Sequence, residues 1–282
     1  MRVSIITVTL NSEKYLTDCI DSVRSQNYTD IEHIIIDGNS TDDTLRIIQN
    51  NEPNISTWIS EPDDGMYDAI NKGIELATGD IIGVLNSDDM FASADVISEI
   101  VESFKRTGSD SIYGDLVYVE PEQTDKVSRY WKGLPYKRSR FKMGWMPAHP
   151  TFYIKRSVVE KYGSYVTHYF TAADYEFMAR YLFHHHVSAT YLPKMIVKMR
   201  NGGISNGNIY RRLRANRRDY LAMKRNNIPF PFIVSIIKPL SKLPQYSKNL
   251  NQKMMNKNKE VALIITSVSY FRTSPHHSKI TG

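Results

Sequence analysis

The chain has 282 residues, 41% of them hydrophobic, so it can bury a sizeable core in one or two domains, which excludes a disordered polypeptide. A single cysteine, Cys19, excludes an internal disulfide framework and points to a reducing compartment, while Asn11, Glu13, Lys14 and Asp18 make residues 1–20 too polar for a signal peptide or membrane span, so a cytosolic N-terminus is expected. The net charge of +6 is uneven: residues 1–205 hold 21 Lys and Arg against 28 Asp and Glu, and residues 206–282 hold 15 against 2, a basic tail suited to anionic lipid, nucleic acid or plain solvation.

Arg2 to Thr9 is rich in β-branched residues and too short for a typical helix, and it predicts the first strand. Leu10-Asn11-Ser12 breaks it. From Tyr15 to Gln26, Leu16, Cys19, Ile20 and Val23 recur at helical spacing, with Asn11 or Ser12 available as a cap. Glu32 to Ile36 repeats the buried-strand pattern and runs into Asp37-Gly38-Asn39-Ser40-Thr41-Asp42-Asp43, after which Thr44 to Gln49 resumes helical spacing. This order predicts a βαβα unit with a parallel sheet. Ligands of such sheets sit beyond the carboxyl ends of the strands, where Asp37 falls, although Asp-Gly and Asn-Ser are also ordinary turn chemistry.

Thr57 to Ser60 is a short third strand, and Glu61-Pro62-Asp63-Asp64-Gly65 is a turn by its Pro and Gly content. Met66 to Ala77 predicts a helix with a small close-packing face of Ala69, Ile70, Gly73, Ile74 and Ala77. Lys72 lies where it could meet a phosphate or remain solvated. The apolar run Ile81 to Leu85 then empties into Asn86-Ser87-Asp88-Asp89. Two adjacent carboxylates at a strand end repel each other and desolvate badly unless a cation or donors meet them, and oxygen ligands suit Mg²⁺ or Mn²⁺. The same acids before Met90-Phe91 also fit a helix cap.

Val3 to Gln26, Asp37 to Asp42, Asp64-Gly65-Met66-Tyr67-Asp68-Ala69-Ile70-Asn71-Lys72-Gly73 and Asn86-Ser87-Asp88-Asp89 stand in the order and spacing of family 2 glycosyltransferases. Over about its first two-thirds the chain resembles that family, most of all the branch acting in bacterial capsule, exopolysaccharide or lipopolysaccharide assembly. The resemblance implies an α/β GT-A fold with a Rossmann-like, mainly parallel mixed sheet. It also implies a nucleotide-diphosphate-sugar donor, a divalent cation and inversion at the anomeric carbon. Carried over, Asp37 would accept from the base, Asn86 would sit towards the ribose and Asp88 would hold the metal. The family more often has Asp at position 86, so Asn86 limits the motif to one metal carboxylate unless Asp89 turns inward. Thr9, Glu13, Asp64, Lys72, Ser87 and Asp89 complete the expected donor site.

Further on, Ala94 to Lys105 is helical by spacing, Ser111 to Val119 is extended, and Lys132 to Lys142 is a basic loop leading to His149, which lies between two prolines. His149 suits either a structural role or, by the resemblance, the donor diphosphate or acceptor. Phe152 to Ile154 returns to strand, and Ser157 to Tyr162 is a short helix ended by Gly163. Asp174 is near the first turn of a helix, an ordinary place for an acid. The resemblance makes it the general base, with Ala173 replacing the first acid of the usual pair. His184-His185-His186 is expected at a loop end, because consecutive side chains diverge. Ser188 to Leu192 and Met195 to Met199 read as late edge strands, followed by a Gly-rich turn from Arg200 to Asn206.

These readings divide the chain into a catalytic domain over residues 1–207, nucleotide-sugar half about 1–115 and acceptor half about 116–207, and a basic, partly helical extension over residues 208–282. In the extension, Ile209 to Lys224 has helical spacing, and Ile228 to Leu240 is apolar but proline-broken and shorter than the ~20 residues a bilayer span needs. It fits a peripheral segment on an anionic membrane, suited to a polyprenyl-linked saccharide acceptor, or a hairpin packed on the core. Asn249 to Lys259 is expected to be disordered, and Val261 to Phe271 is a short apolar piece. A sugar-nucleotide nucleotidyltransferase would need a Gly-rich phosphate loop after the first strand, where Leu10-Asn11-Ser12-Glu13 stands instead. A nucleic-acid-binding protein would need a base-reading module, and none is recognisable. No nucleic-acid partner is expected, and the enzyme is placed in the cytoplasm or on the inner face of the membrane.

Overall fold

The computed structural model describes residues 1–202 and 209–240. The turn positions Gly203 to Asn206, the polar stretch Asn249 to Lys259 and the apolar piece Val261 to Phe271 lie outside the described residues. The first half follows the sequence pattern closely: β1 (Val3–Thr9), α1 (Leu16–Arg24), β2 (Ile31–Asp37), α2 (Thr44–Asn50), β3 (Thr57–Ser60), α3 (Met66–Leu76) and β4 (Ile81–Val84). β1 pairs in parallel with β2 and β4, and β2 with β3, so these strands deliver their carboxyl ends to one edge. α3 lies directly on this sheet because Gly73 leaves no side chain there: a Cβ would stand 2.4 Å from Ile6 Cγ2.

The second half contains β5 (Met90–Phe91), α4 (Val96–Thr107), β6 (Ser111–Glu120), β7 (Gln123–Trp131), β8 (Tyr153–Lys155), α5 (Arg156–Tyr162), α6 (Ala173–Met178) and β9 (Ala189–Arg200). Among the described residues one mixed sheet runs β3-β2-β1-β4-β8-β6-β9-β5, with β7 paired to β6. Two expectations change here. Met90-Phe91 pairs antiparallel with Lys198-Val197, and the next helix starts only at Val96, so Asp88 and Asp89 do not cap a helix. The two late edge strands are one continuous strand, β9, lying between β6 and β5. Pro193 is tolerated inside it because the register with β6 shifts between Tyr191 and Met195, and a proline needs such a bulge or an edge.

The C-terminal pair, α7 (Ile209–Arg225) and α8 (Pro231–Leu240), packs on α6 and on the segments Thr167–Ala172 and Arg138–Met143. Ala222, Met223, Ile228 and Val234 are buried there. Gly144, at φ +73°, meets α8 backbone to backbone: a Cβ would stand 2.8 Å from the Lys238 Cα. Lys238 Nζ pairs with Asp219 at 2.7 Å and lies 4.0 Å from the centroid of the Tyr175 ring. The packed-hairpin reading of this segment therefore holds for its inner face. No described helix is long and apolar enough to cross a membrane.

Candidate active site

The site is built at the carboxyl edge of the parallel strands. Thr9 and Asp37 are register partners at the ends of β1 and β2. Asp37 is wholly buried, its carboxylate accepting from Ser40 Oγ at 2.5 Å, the Ser40 N–H at 3.1 Å and Ser60 Oγ at 2.6 Å. Those bonds fix the turn after β2 and leave little of the carboxylate's acceptor capacity free. Asn11, at φ +50°, is pinned to the same turn by the Thr41 N–H donating to its Oδ1 at 2.9 Å. Glu13 accepts the Asp43 N–H at 3.0 Å and so holds the start of α2.

Two buried oxygens at this edge have no hydrogen-bond partner among the described residues: Thr9 Oγ1 and Asn86 Oδ1. Leaving a buried polar atom unsatisfied costs about 1–3 kcal/mol, so these two oxygens, at the ends of the paired strands β1 and β4, are acceptors that a polar ligand at this edge would satisfy. Asn86 is held for this by donating from Nδ2 to Asp89 at 3.1 Å, while its carbonyl accepts from Asp89 N–H at 3.0 Å and from Cys19 Sγ at 3.4 Å. Ser87 Oγ shares a hydrogen bond with Ser12 Oγ at 2.9 Å, linking the β1 and β4 loops. Cys19 is buried, and burial pushes its thiol up to about 12.

Burial raises the Asp88 carboxyl above the ordinary carboxylate range, and burial plus the Asp88 charge raises Asp89 well above it. A divalent cation would oppose both effects. Among the described residues no group of three or more His, Cys, Asp or Glu is placed to hold a metal. The Asp88 carboxylate nevertheless fits a hard cation of the Mg²⁺ or Mn²⁺ type, which commonly takes one or two protein oxygens and the rest from substrate phosphates and water.

Arg200, at the end of β9, is the residue that sequence reasoning missed. It is 3% exposed, pairs with Asp18, donates to the Asp88 carbonyl at 2.9 Å and to the Pro121 carbonyl at 3.1 Å, and stacks 4.3 Å from the Tyr15 ring centroid. Its own N–H reaches Asp89 at 3.3 Å. The Arg200 charge lowers both Asp88 and Asp89 against the effect of burial. Arg200→Met is therefore expected to raise both carboxyls and, on the expectation that Asp88 holds a cation as a carboxylate, to move the acid limb of the activity–pH profile to higher pH. Arg200→Lys, which keeps the charge, should move it less. A kcat/KM profile unchanged in Arg200→Met would remove Arg200 from this role.

Asp174 is half-buried on α6, its carboxylate accepting the Tyr175 N–H at 2.6 Å. Tyr67, on the first turn of α3, lies against the Asp174 N–H, and burial together with the Asp174 charge raises its hydroxyl well above the ordinary value. One helical turn later, Asn71 exchanges two 2.9 Å bonds with the Tyr165 backbone. Tyr67 and Asn71 thus tie α3 to the segment that carries Asp174. His149 Nε2 meets Tyr165 Oη at 2.8 Å, and burial lowers the imidazole while the Asp174 charge raises it. Next to Asp174, Glu176 is wholly buried and bonded to Arg180, which also donates to the Tyr162, Gly163 and Ser164 carbonyls, a structural brace under the helix.

The remaining expected residues lie at the rim. Lys72 pairs with Glu61 at 2.7 Å and donates to the Pro62 carbonyl at 2.9 Å. Asp64 is exposed, its N–H donating to Asp68 at 3.2 Å. Of the three histidines at positions 184–186, which lie at the end of a helical segment, His185 stacks on Tyr162 with centroids 4.1 Å apart and meets the His184 ring edge-on at 4.7 Å, so these two do not diverge, while His186 adopts φ +55°.

Residues 4–163 match the family model described as glycosyl transferase family 2. An uncharacterized glycosyltransferase of Mycobacterium tuberculosis is 36% identical over 180 residues, covering 63% of this chain and 68% of that protein. A PGL/p-HBAD biosynthesis glycosyltransferase of Mycobacterium bovis is 30% identical over 208 residues, covering 72% and 78%. Among solved structures, S. aureus TarS in complex with UDP-GlcNAc superposes with a TM-score of 0.59 at 18% identity, over 87% of this chain and 78% of that one. The mannosyltransferase PcManGT of Pyrobaculum calidifontis, in complex with GDP-Man and Mn²⁺, gives 0.58 at 17% identity, over 97% and 81%. These two likenesses show a shared GT-A fold.

Proposed function

Since this chain belongs to glycosyl transferase family 2 and is an enzyme that transfers sugars, we propose that it moves a sugar, with inversion, from a nucleotide-diphosphate sugar to a saccharide or lipid-linked saccharide of a bacterial surface polymer. The observation that carries this reading is the strand-end set, in which unpartnered Thr9 and Asn86 oxygens lie at the ends of the paired strands β1 and β4 with Asp88 in the same loop, together with the Asp174 segment that Tyr67 and Asn71 of α3 tie to the sheet. The similar folds holding UDP-GlcNAc and GDP-Man support a nucleotide-sugar donor, with UDP as the expected carrier. The PGL/p-HBAD biosynthesis relative supports a glycoconjugate acceptor. A polyprenyl-linked acceptor would place the reaction on the inner face of the cytoplasmic membrane.

In this reading Asp37 lies beneath the base, and the Asn86 amide and Thr9 hydroxyl meet the nucleoside, with Ser87 and Glu13 holding their loops. Asp88 would hold Mg²⁺ or Mn²⁺ against the donor diphosphate, with Asp89 behind it. When bound, the cation supplies charge neutralisation for the departing diphosphate. Asp174 accepts the proton of the acceptor hydroxyl as that oxygen attacks the anomeric carbon on the face opposite the diphosphate, which inverts the centre. Tyr67 and His149 flank Asp174 and shape the space for the acceptor, and Asp64 and Lys72 order the rim. A panel of nucleotide sugars, assayed for Mn²⁺-dependent release of the nucleoside diphosphate, tests the reading. One donor class turned over with metal is expected. No turnover of any sugar nucleotide, with or without metal and acceptor extracts, would reject it.

A further inference from the structure

The outer face of the C-terminal helix pair is unlike the rest of the surface. Phe230, Phe232, Ile233 and Ile236 are 75%, 67%, 54% and 53% exposed, whereas Val234, Ser235 and Lys238 of the same segment are buried. Phe230 also holds φ +53°, a conformation that costs about 1–3 kcal/mol for a bulky residue and here leaves an aromatic ring in solvent. Single exposed apolar residues are ordinary, but four large ones within seven positions form a patch that marks an interaction surface.

The charge around the patch selects its partner. From Tyr220 to Lys259 the sequence has no Asp or Glu, and Lys224 and Arg225 stand exposed just before Phe230. α8 also abuts the turn from Arg138 to Met143, through Gly144 against Lys238. That turn adds exposed Lys137, Arg138 and Lys142, and Met143 at 58% exposure. Apolar side chains flanked by these cations, with Asp219 already paired to Lys238, match the acyl boundary and anionic headgroups of a lipid leaflet. A protein partner of ordinary composition would offer no such uniform negative field.

We infer that α8 and the Arg138–Met143 turn together form a surface that docks on an anionic bilayer. The helix pair is short of a span, so the contact is interfacial. Its place is useful: Lys238, on the inner side of α8, braces the Tyr175 ring, and Tyr175 follows Asp174 directly. A lipid-linked acceptor held in the leaflet would reach the Asp174 wall with little excursion, a consequence that rests on the proposed function, while the docking itself does not.

Flotation of the full chain with phosphatidylglycerol–phosphatidylcholine vesicles, against pure phosphatidylcholine vesicles, tests this. Partitioning onto the anionic vesicles that weakens in high salt is expected. Phe232→Ser with Ile236→Ser should cut it about tenfold or more, with an unchanged Tm because both side chains are exposed. Lys137→Glu with Lys142→Glu, outside the C-terminal helices, should cut it about fivefold or more per position. Equal partitioning of these variants, binding to neutral vesicles alone, or no vesicle binding with a self-association that the Phe232 and Ile236 changes abolish would overturn the inference. Nucleoside diphosphate binding measured on the same samples separates this failure from failure of the donor site.

Discussion

Asp174→Asn is expected to reduce turnover by about 10²–10⁴-fold, the usual contribution of a positioned general base, while the KM for the donor and the Tm stay near wild type. The asparagine keeps the size of the side chain and still accepts the Tyr175 N–H, so the local fold is retained. What disappears is the ability to take a proton. The neighbouring acid cannot substitute, because Glu176 is wholly buried and committed to Arg180. Steady-state kinetics with a saturating donor measure the effect. A variant with wild-type kcat would place the base elsewhere.

Asp88→Ala carries the second large effect. It removes the carboxylate offered to the cation and leaves Asp89, which is fully buried and already bonded to Asn86 and the Arg200 N–H. Loss of metal-dependent donor binding and of transfer is expected together, by about 10³-fold or more in kcat/KM, since the departing diphosphate would leave without charge neutralisation. Asp174→Asn should lose turnover with binding intact, so the two variants separate binding chemistry from proton transfer. Raising Mn²⁺ should not restore Asp88→Ala.

The parallel half of the sheet was legible because each strand is a short apolar run ended by polar turn residues, a local pattern. Asp37 and Asn86-Ser87-Asp88-Asp89 were legible for the same reason, since a strand end places them at one edge whatever follows. The readings that changed depended on distant partners. Pro193 made β9 look like two edge strands, and only its bulge against β6 shows why the strand continues. The helix-cap alternative for Asp88 and Asp89 stayed open because the strand partner of Met90-Phe91, Val197-Lys198, comes from more than a hundred positions away. Arg200 was hidden most deeply: it bonds the Asp88 carbonyl across 112 positions, and no spacing rule connects the two. Tyr67 and Asn71 were visible as a helix motif, but their work of tying α3 to the Asp174 segment required the packed structure.

The division of labour at the crevice rests first on Asp88 as the residue through which a cation secures the donor. Calorimetric titration of UDP, GDP and dTDP into wild type and Asp88→Ala, each with and without Mn²⁺, measures it directly. The expected result is binding of one nucleoside diphosphate by wild type that requires Mn²⁺ and is absent in Asp88→Ala. Binding of equal strength without metal, or unchanged in Asp88→Ala, would contradict it.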